Sequence, residues 1–313
     1  MNSVQKIEDV RLAVAEARAA GKDICLVPTM GALHAGHASL IDAAVGKMGS
    51  VPICLKRDRP SFSFVVVSVF VNPTQFGPTE DLAKYPRTPE QDLELCRKHG
   101  ADLVFMPTAQ TMYGSQDMAT NNVAMPPTQM TEITVKALSG QLCGRSRPVH
   151  FAGVCTVVAK LFNIVQPDRA FFGAKDFQQA TIIRRMTADL NFPIEIVVCP
   201  TVREADGLAM SSRNAYLSDD HRRQAPALHQ SLELGRDLIL REHPPAEAVV
   251  AAMREHLARA APDSVVDYLE IVDPETLCGV EMTDNPVVIA MAVKLGATRL
   301  IDNIAVDAAR AAQ

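Results

Sequence analysis

The chain predicts a doubly wound α/β fold on a parallel sheet, followed by a smaller C-terminal α+β domain. Two observations carry this. Five short apolar stretches, Ile24–Pro28, Phe64–Val71, Asp102–Met106, Arg169–Phe172 and Ile194–Cys199, are rich in Val, Ile and Phe, as strands buried on both faces are. Helical patterns separate them, at Ala38–Val45, Pro89–His99, Val154–Val165 and Phe177–Leu190. Strands alternating with helices call for parallel crossovers. The first domain is placed at residues 1–200 and the second at 201–313.

The N-terminal stretch Met1–Arg18 is charged and helical in pattern, without a secretory apolar core. Ile24–Pro28 then leads into Thr29-Met30-Gly31-Ala32-Leu33-His34-Ala35-Gly36-His37, which opens the next helix. Residues 47–63, with two prolines and a Lys-Arg-Asp-Arg cluster, join a helix to a strand. That places them at the amino-terminal edge of the sheet, away from the ligand edge, as a solvated loop or a partner-docking segment. Beyond the sheet, Ser218-Asp219-Asp220 starts a helix whose acids suit its dipole. Helical patterns run to about His243 and from Ala246 to Ala260, and three β-like segments follow at Val265–Val272, Pro286–Val293 and Thr298–Asn303.

With 313 residues, 48% hydrophobic and 21% charged, the chain can bury a sizeable core. A net charge of −5 argues against a nucleic-acid partner, and no apolar run approaches the roughly 20 residues of a membrane span. Seven cysteines without a CxxC pair read as reduced, cytoplasmic thiols serving as small core residues.

In doubly wound sheets the ligand crevice lies beyond the carboxyl ends of the strands. Four of the five predicted strands end there in polar, glycine-bearing clusters. His34 and His37, beside Gly31 and Gly36, suit a polyphosphate: the backbone comes close, the helix N-terminus offers free N–H groups, and each imidazole adds a donor. A metal site or two surface histidines are the competing readings. Asn72 and Gln75 follow the second strand. After the fourth, Gly173 and Ala174 lead to Lys175, a mobile point charge, and to Asp176, suited to a ribose hydroxyl, a metal or the lysine itself. Gln75 and Gln179 offer amides fit for a small hydroxylated acid or for plain solvent. After the fifth strand come Val202 and the loop Met210-Ser211-Ser212-Arg213, whose hydroxyls and guanidinium can clasp phosphates and steady a leaving pyrophosphate. Arg147 pairs with a carboxylate or stays exposed.

Taken in order, VPTMGALHAGH, VSVFVNPTQF, DLAKYPRT, GRSRPVHFAGV, KLFNIVQPDRAFFGAKDFQQ, PTVREADGLAMSSRNAYLS and RLIDN resemble the pantothenate synthetase (pantoate–β-alanine ligase) family. This family sits in the HIGH-type nucleotidyltransferase superfamily, related to class I aminoacyl-tRNA synthetases, and its MSSR loop stands where they carry KMSKS. The resemblance implies a Rossmann-like first domain that binds nucleotide and pantoate, and a second domain that begins with the MSSR loop. It implies activation of pantoate by Mg2+·ATP to a pantoyl adenylate, then attack by β-alanine. ATP would be held by Met30, Gly31, Ala32, Leu33, His34, Ala35, Gly36 and His37, by Gly173, Ala174, Lys175 and Asp176, and by Val202 with Met210, Ser211, Ser212 and Arg213. His37 matches the family's proton donor, and His34, Lys175, Ser211, Ser212 and Arg213 complete the catalytic set. Gln75 and Gln179 would hold pantoate, Gln75 also lying near β-alanine, with Asn72 and Arg147 in support. A cytoplasmic homodimer is implied as well.

Two features depart from the family. Ala174 replaces its usual glutamate, and the 47–63 connection is longer than usual. The competing readings are another HxGH enzyme, such as a phosphopantetheine or nicotinamide-mononucleotide adenylyltransferase, or a non-catalytic nucleotide sensor. An aminoacyl-tRNA synthetase fits less well, since neither an anticodon-binding module nor a basic surface is evident.

Overall fold

The computed structural model describes residues 1–47, 63–78, 80–114 and 130–307. The long connection singled out above, apart from its two end residues, lies outside the described residues. The elements run β1 (Asn2–Val4), α1 (Ile7–Ala19), β2 (Asp23–Thr29), α2 (Ala35–Val45), β3 (Ser63–Val69), α3 (Pro89–His99), β4 (Leu103–Phe105), α4 (Ala109–Tyr113), α5 (Lys136–Ser139), α6 (Cys143–Ser146) and α7 (His150–Val165). They continue with β5 (Arg169–Gly173), α8 (Phe177–Asp189), β6 (Glu195–Cys199), α9 (Asp219–Gln224), α10 (Ala227–Glu242), α11 (Ala246–Ala260), β7 (Ser264–Val272), β8 (Val287–Leu295) and β9 (Thr298–Val306). These form two compact units. One takes Met1–Val135, Arg147–Ala174 and Ile182–Pro200; the other takes Lys136–Ser146, Lys175–Thr181 and Thr201–Gln313.

The first unit holds a six-stranded parallel sheet in the order β1-β4-β3-β2-β5-β6. Alternation along β2 explains why both faces are apolar. Cys25 and Val27 join Leu40, Ile41 and Ala44 of α2 in one cluster, while Ile24 and Leu26 are fully buried on the opposite face. Each such aliphatic side chain contributes roughly 1.5–3 kcal/mol by burial. Helix α2 runs from β2 to β3 on one side, and the chain returns from β4 to lay β5 on the other side of β2. The order therefore reverses between β2 and β5, which makes the gap beyond their carboxyl ends the ligand crevice of the sheet.

The second unit is an antiparallel sheet, β7-β8-β9, with α10 and α11 packed on it. Leu228, Leu232, Ile239, Met253 and Leu257 meet Ile289, Met291 and Val293 in its core.

Three local expectations need correction. The N-terminus is not helical throughout: Asn2–Val4 is an edge strand pairing with β4, too short and polar to show a period. Helices α2 and α7 begin three and four residues before their predicted starts, at Ala35 and His150. The helical run after Ser218 is two helices, α9 and α10, divided at Ala225-Pro226. The six cysteines among the described residues are unpaired, and all but Cys278 are buried.

Candidate active site

The turn leaving β2 is fixed from several sides. Thr29 Oγ1 donates to Ser68 O (2.7 Å) and accepts from the Gly31 N–H (3.3 Å). Gly31 (φ +81°) and Ala32 (φ +50°) then take consecutive left-handed conformations. For alanine this costs roughly 1–2 kcal/mol, so the surroundings must hold it. The holding group is the carboxylate of Asp92 on α3, which accepts from the N–H groups of Ala32 (3.1 Å) and Leu33 (2.8 Å).

His34 follows in extended conformation (φ −135°) as the N-cap of α2. Its Nδ1 accepts from the Gly36 N–H (3.1 Å), and His37 Nδ1 accepts from the His34 N–H (3.3 Å). The two histidines thus cap the helix reciprocally, with ring centroids 4.2 Å apart. Because each Nδ1 is an acceptor, each neutral ring carries its proton on Nε2. The pair therefore brings two Nε2–H donors to the positive end of a helix, a setting made for an anion. Gly36 and His37 lie inside the helix, which is why α2 starts earlier than its apolar pattern implied.

After β3, Asn72 caps the short 3₁₀ turn Pro73–Gln75. Asn72 is 1% exposed and Gln75 6% exposed, and both are engaged. Asn72 Oδ1 accepts from the hydroxyls of Tyr113 (2.7 Å) and Thr74 (3.0 Å), and its amide donates to Gly153 O (3.1 Å) and Gln75 Oε1 (3.2 Å). Burial pushes the Tyr113 phenol up to about 12, against the lowering effect of its bonds to Thr74 and Asn72, so it stays a donor. Gln75 Nε2 donates to Met30 Sδ (2.7 Å), which joins this turn to the histidine turn. Helix α7 closes on it through Gly153, where a Cβ would meet Thr74 O at 2.5 Å. Only a glycine permits that approach.

Arg147 has its carboxylate, and it is Glu80: Nε and Nη2 donate to the two carboxylate oxygens at 2.8 and 2.6 Å. Its Nη2 also reaches Gln75 O (3.4 Å), which His150 Nδ1 contacts at 3.0 Å. Gly173 ends β5 and Ala174 opens the 3₁₀ turn after it, both in the same unit as the histidine turn.

The remaining candidates belong to the second unit. Lys175 and Asp176 sit in a 3₁₀ turn whose Lys175 carbonyl accepts from Asn303 Nδ2 on β9 (2.8 Å). Val202 and Met210 are backbone partners (3.0 Å) across a tight hairpin that turns at Gly207 (φ +91°). Arg203 braces this hairpin, donating to Gly207 O (3.0 Å) and to both oxygens of buried Asp302 (2.7 and 3.0 Å). Ser211 then caps the 3₁₀ turn Ser212–Tyr216, its Oγ accepting from the Arg213 N–H (3.3 Å). Gln178 is buried and staples Leu138–Cys143, accepting from Cys143 N–H (3.0 Å) and donating to Leu138 O (3.0 Å). Gln179, about 100° further round the helix, is partly exposed.

Sequence reasoning missed Asp92, Tyr113, Gly153 and Glu80. Each had a local signal with a duller meaning: an acid in a helix first turn, a tyrosine after a strand, a glycine near a helix start, an acid in a loop.

Comparison with known proteins covers nearly the whole chain. The family model described as pantoate-beta-alanine ligase matches residues 2–305. The pantothenate synthetase of Moorella thermoacetica is 49% identical over 307 residues, spanning 98% of this chain and 99% of its own. A crystal structure of pantothenate synthetase from Thermus thermophilus superposes with a TM-score of 0.83 at 40% identity, over 97% of this chain and 99% of its own. The pantoate-beta-alanine ligase of Francisella tularensis, complexed with beta-gamma ATP and beta-alanine, superposes at 0.72 with 29% identity, over 97% of each chain.

Proposed function

Since the chain belongs to the pantoate–β-alanine ligase family, we propose that it condenses (R)-pantoate with β-alanine to pantothenate, with ATP leaving as AMP and pyrophosphate. The observation that carries this is the reciprocal histidine cap at the switch point of a parallel sheet, joined through Met30 to the buried amide of Gln75. It supplies donors for a polyphosphate beside a polar group for a small acid.

The chemistry needs no protein nucleophile. A pantoate carboxylate oxygen attacks the α-phosphorus, the bond from that phosphorus to the bridging oxygen breaks, and pyrophosphate departs with the electron pair. The amine of β-alanine then attacks the acyl carbon, losing a proton as AMP leaves. What the protein does is hold the reactants in line and balance charge on the leaving group. His34 and His37 donate through Nε2–H to the phosphates, with His37 the proton donor. Lys175, Ser211, Ser212 and Arg213 neutralise the departing pyrophosphate. The backbone of Met30–His37, Gly173–Asp176, Val202 and Met210 borders the nucleotide. Gln75 and Gln179 hold pantoate, Gln75 also facing β-alanine. Asn72 fixes Gln75, and Arg147 anchors the Gln75 carbonyl.

Mg2+ would arrive on the ATP phosphates. Among the described residues no three His, Cys, Asp or Glu side chains gather as a cage, but a nucleotide-borne Mg2+ needs only one or two carboxylates. Asp176 is the donor that fits, and the ion would supply charge neutralisation on the phosphates. We assign residues 1–200 to nucleotide and pantoate binding and 201–313 to the domain that brings the Met210–Arg213 turn. The working form is a cytoplasmic homodimer, as the resemblance to the family implies.

AMP formation from ATP, measured with and without pantoate and β-alanine, tests this reading. AMP release that depends on both acids supports it. Release indifferent to pantoate refutes it, and transfer of adenylate to a phosphopantetheine or nicotinamide mononucleotide acceptor would replace it.

A further inference from the structure

We propose that Asp92 is a positioning residue for the nucleotide turn: its carboxylate is a built-in anion that shapes Gly31–Leu33 and thereby aims the two histidines. The turn sends the successive N–H groups of Ala32 and Leu33 to one spot, the kind of turn concavity that binds an anion. Here that concavity is already filled. Asp92 Oδ2 accepts from Ala32, Oδ1 accepts from Leu33 and from the Thr88 hydroxyl (3.0 Å), and the side chain sits in a residue only 2% exposed. The fit is tight: a Cβ added at Gly31 would lie 3.0 Å from Asp92 Oδ2 and 3.1 Å from Val69 Cγ1.

Two consequences follow. The amides of Ala32 and Leu33 are spent on Asp92, so a bound phosphate chain takes its donors from the α2 N-terminus and the imidazole Nε2–H groups instead. And Asp92 acts through geometry, because a negative charge contributes nothing attractive to a polyphosphate. An asparagine of the same shape would keep one acceptor but turn an NH2 group toward a backbone N–H. The turn would then relax and carry His34 with it.

The inference rests on the adenylation reading, and its test separates the two. Asp92→Asn is compared with the unaltered protein in three measurements: ATP affinity by calorimetry, pantoate-dependent ATP–pyrophosphate exchange, and β-alanine attack on supplied pantoyl adenylate. The expected result is ATP binding at least tenfold weaker and exchange at least thirtyfold slower. The second half-reaction, which has no β- or γ-phosphate to hold, changes less than about threefold. Thr88→Val, which removes one of the three bonds, gives a smaller loss in the same two readouts and keeps the test alive if Asp92→Asn does not fold. Normal ATP affinity and exchange in both variants overturn the proposal. So does an equal loss in both half-reactions, which marks a merely structural acid. If the unaltered protein shows no pantoate-dependent exchange, the adenylation reading fails, while ATP affinity still reports on Asp92.

Discussion

Replacing Gly153 by alanine adds one methyl group where α7 crosses the Asn72–Gln75 turn. The new Cβ would sit 2.5 Å from Thr74 O, 2.6 Å from Thr74 C and 2.7 Å from Gln75 Cα. Ordinary contact begins near 3.4 Å, so about 0.9 Å of displacement is needed. All three opposing atoms are backbone, and no rotamer change relieves the clash. Overpacking of this kind costs about 1–3 kcal/mol of stability. The displaced element is the one carrying Gln75, and a shift near 1 Å at a substrate-positioning group lowers turnover by about a hundredfold. Urea denaturation gives the first quantity and pantoate-dependent ATP–pyrophosphate exchange, with the pantoate KM, gives the second. Gly279→Ala is the control, because nothing lies within 4 Å of its added Cβ. If Gly153→Ala matches that control within about 0.5 kcal/mol and twofold in exchange, the argument from close approach is wrong.

Other substitutions and conditions test separate links. His34→Asn keeps an N-cap acceptor but loses the Nε2–H, so helix stability should hold within about 0.5 kcal/mol while exchange collapses; His34→Ala should lose both, with about 1 kcal/mol of stability. Equal stability of the two variants would remove the capping role. His37→Ala and Lys175→Ala should each slow exchange at least roughly a hundredfold, about 2.7 kcal/mol of transition-state stabilisation, and near-normal rates would strike them from the catalytic set. Burial raises the thiols of Cys25 and Cys199 to about 11 and those of Cys96 and Cys155 to about 12, from 9.0. The unfolded chain therefore loses those protons first. The stabilisation is complete below pH 9, drains away as pH climbs from there, and is gone above 11–12, at no more than about 1.4 kcal/mol per thiol per pH unit. Unfolding free energies under reductant that stay flat from pH 8.5 to 10.5 would contradict this.

The sheet was readable because its strands are apolar on both faces and its crossovers are long. The strand-end rule places Asn72, Gln75 and the histidines at one edge of that sheet, and the structure joins Gln75 to Met30 of the histidine turn. What resisted reading has physical causes. Asn2–Val4 is three residues with one apolar side chain, and its pairing with β4 is a tertiary fact. Gly36 and Gly153 look like helix breakers in isolation, yet one sits within a histidine-capped first turn and the other lets two backbones touch. Gln178 and Gln179 look alike in sequence, and only the helix phase assigns one to scaffolding. Asp92 and Glu80 serve partners 60 and 67 residues away, a separation no local pattern encodes.

Strand β2 has hydrogen-bonded neighbours on both sides, β3 along its full length and β5 at Cys25 and Leu26. Its amides should therefore exchange with solvent deuterium only when the whole first unit opens, whereas those of Asn2–Val4 at the edge should exchange by fraying. The histidine turn is thus tethered to the segment that melts last. Thermal fluctuation at the periphery can loosen the molecule a good deal before it disturbs the aim of the two imidazoles.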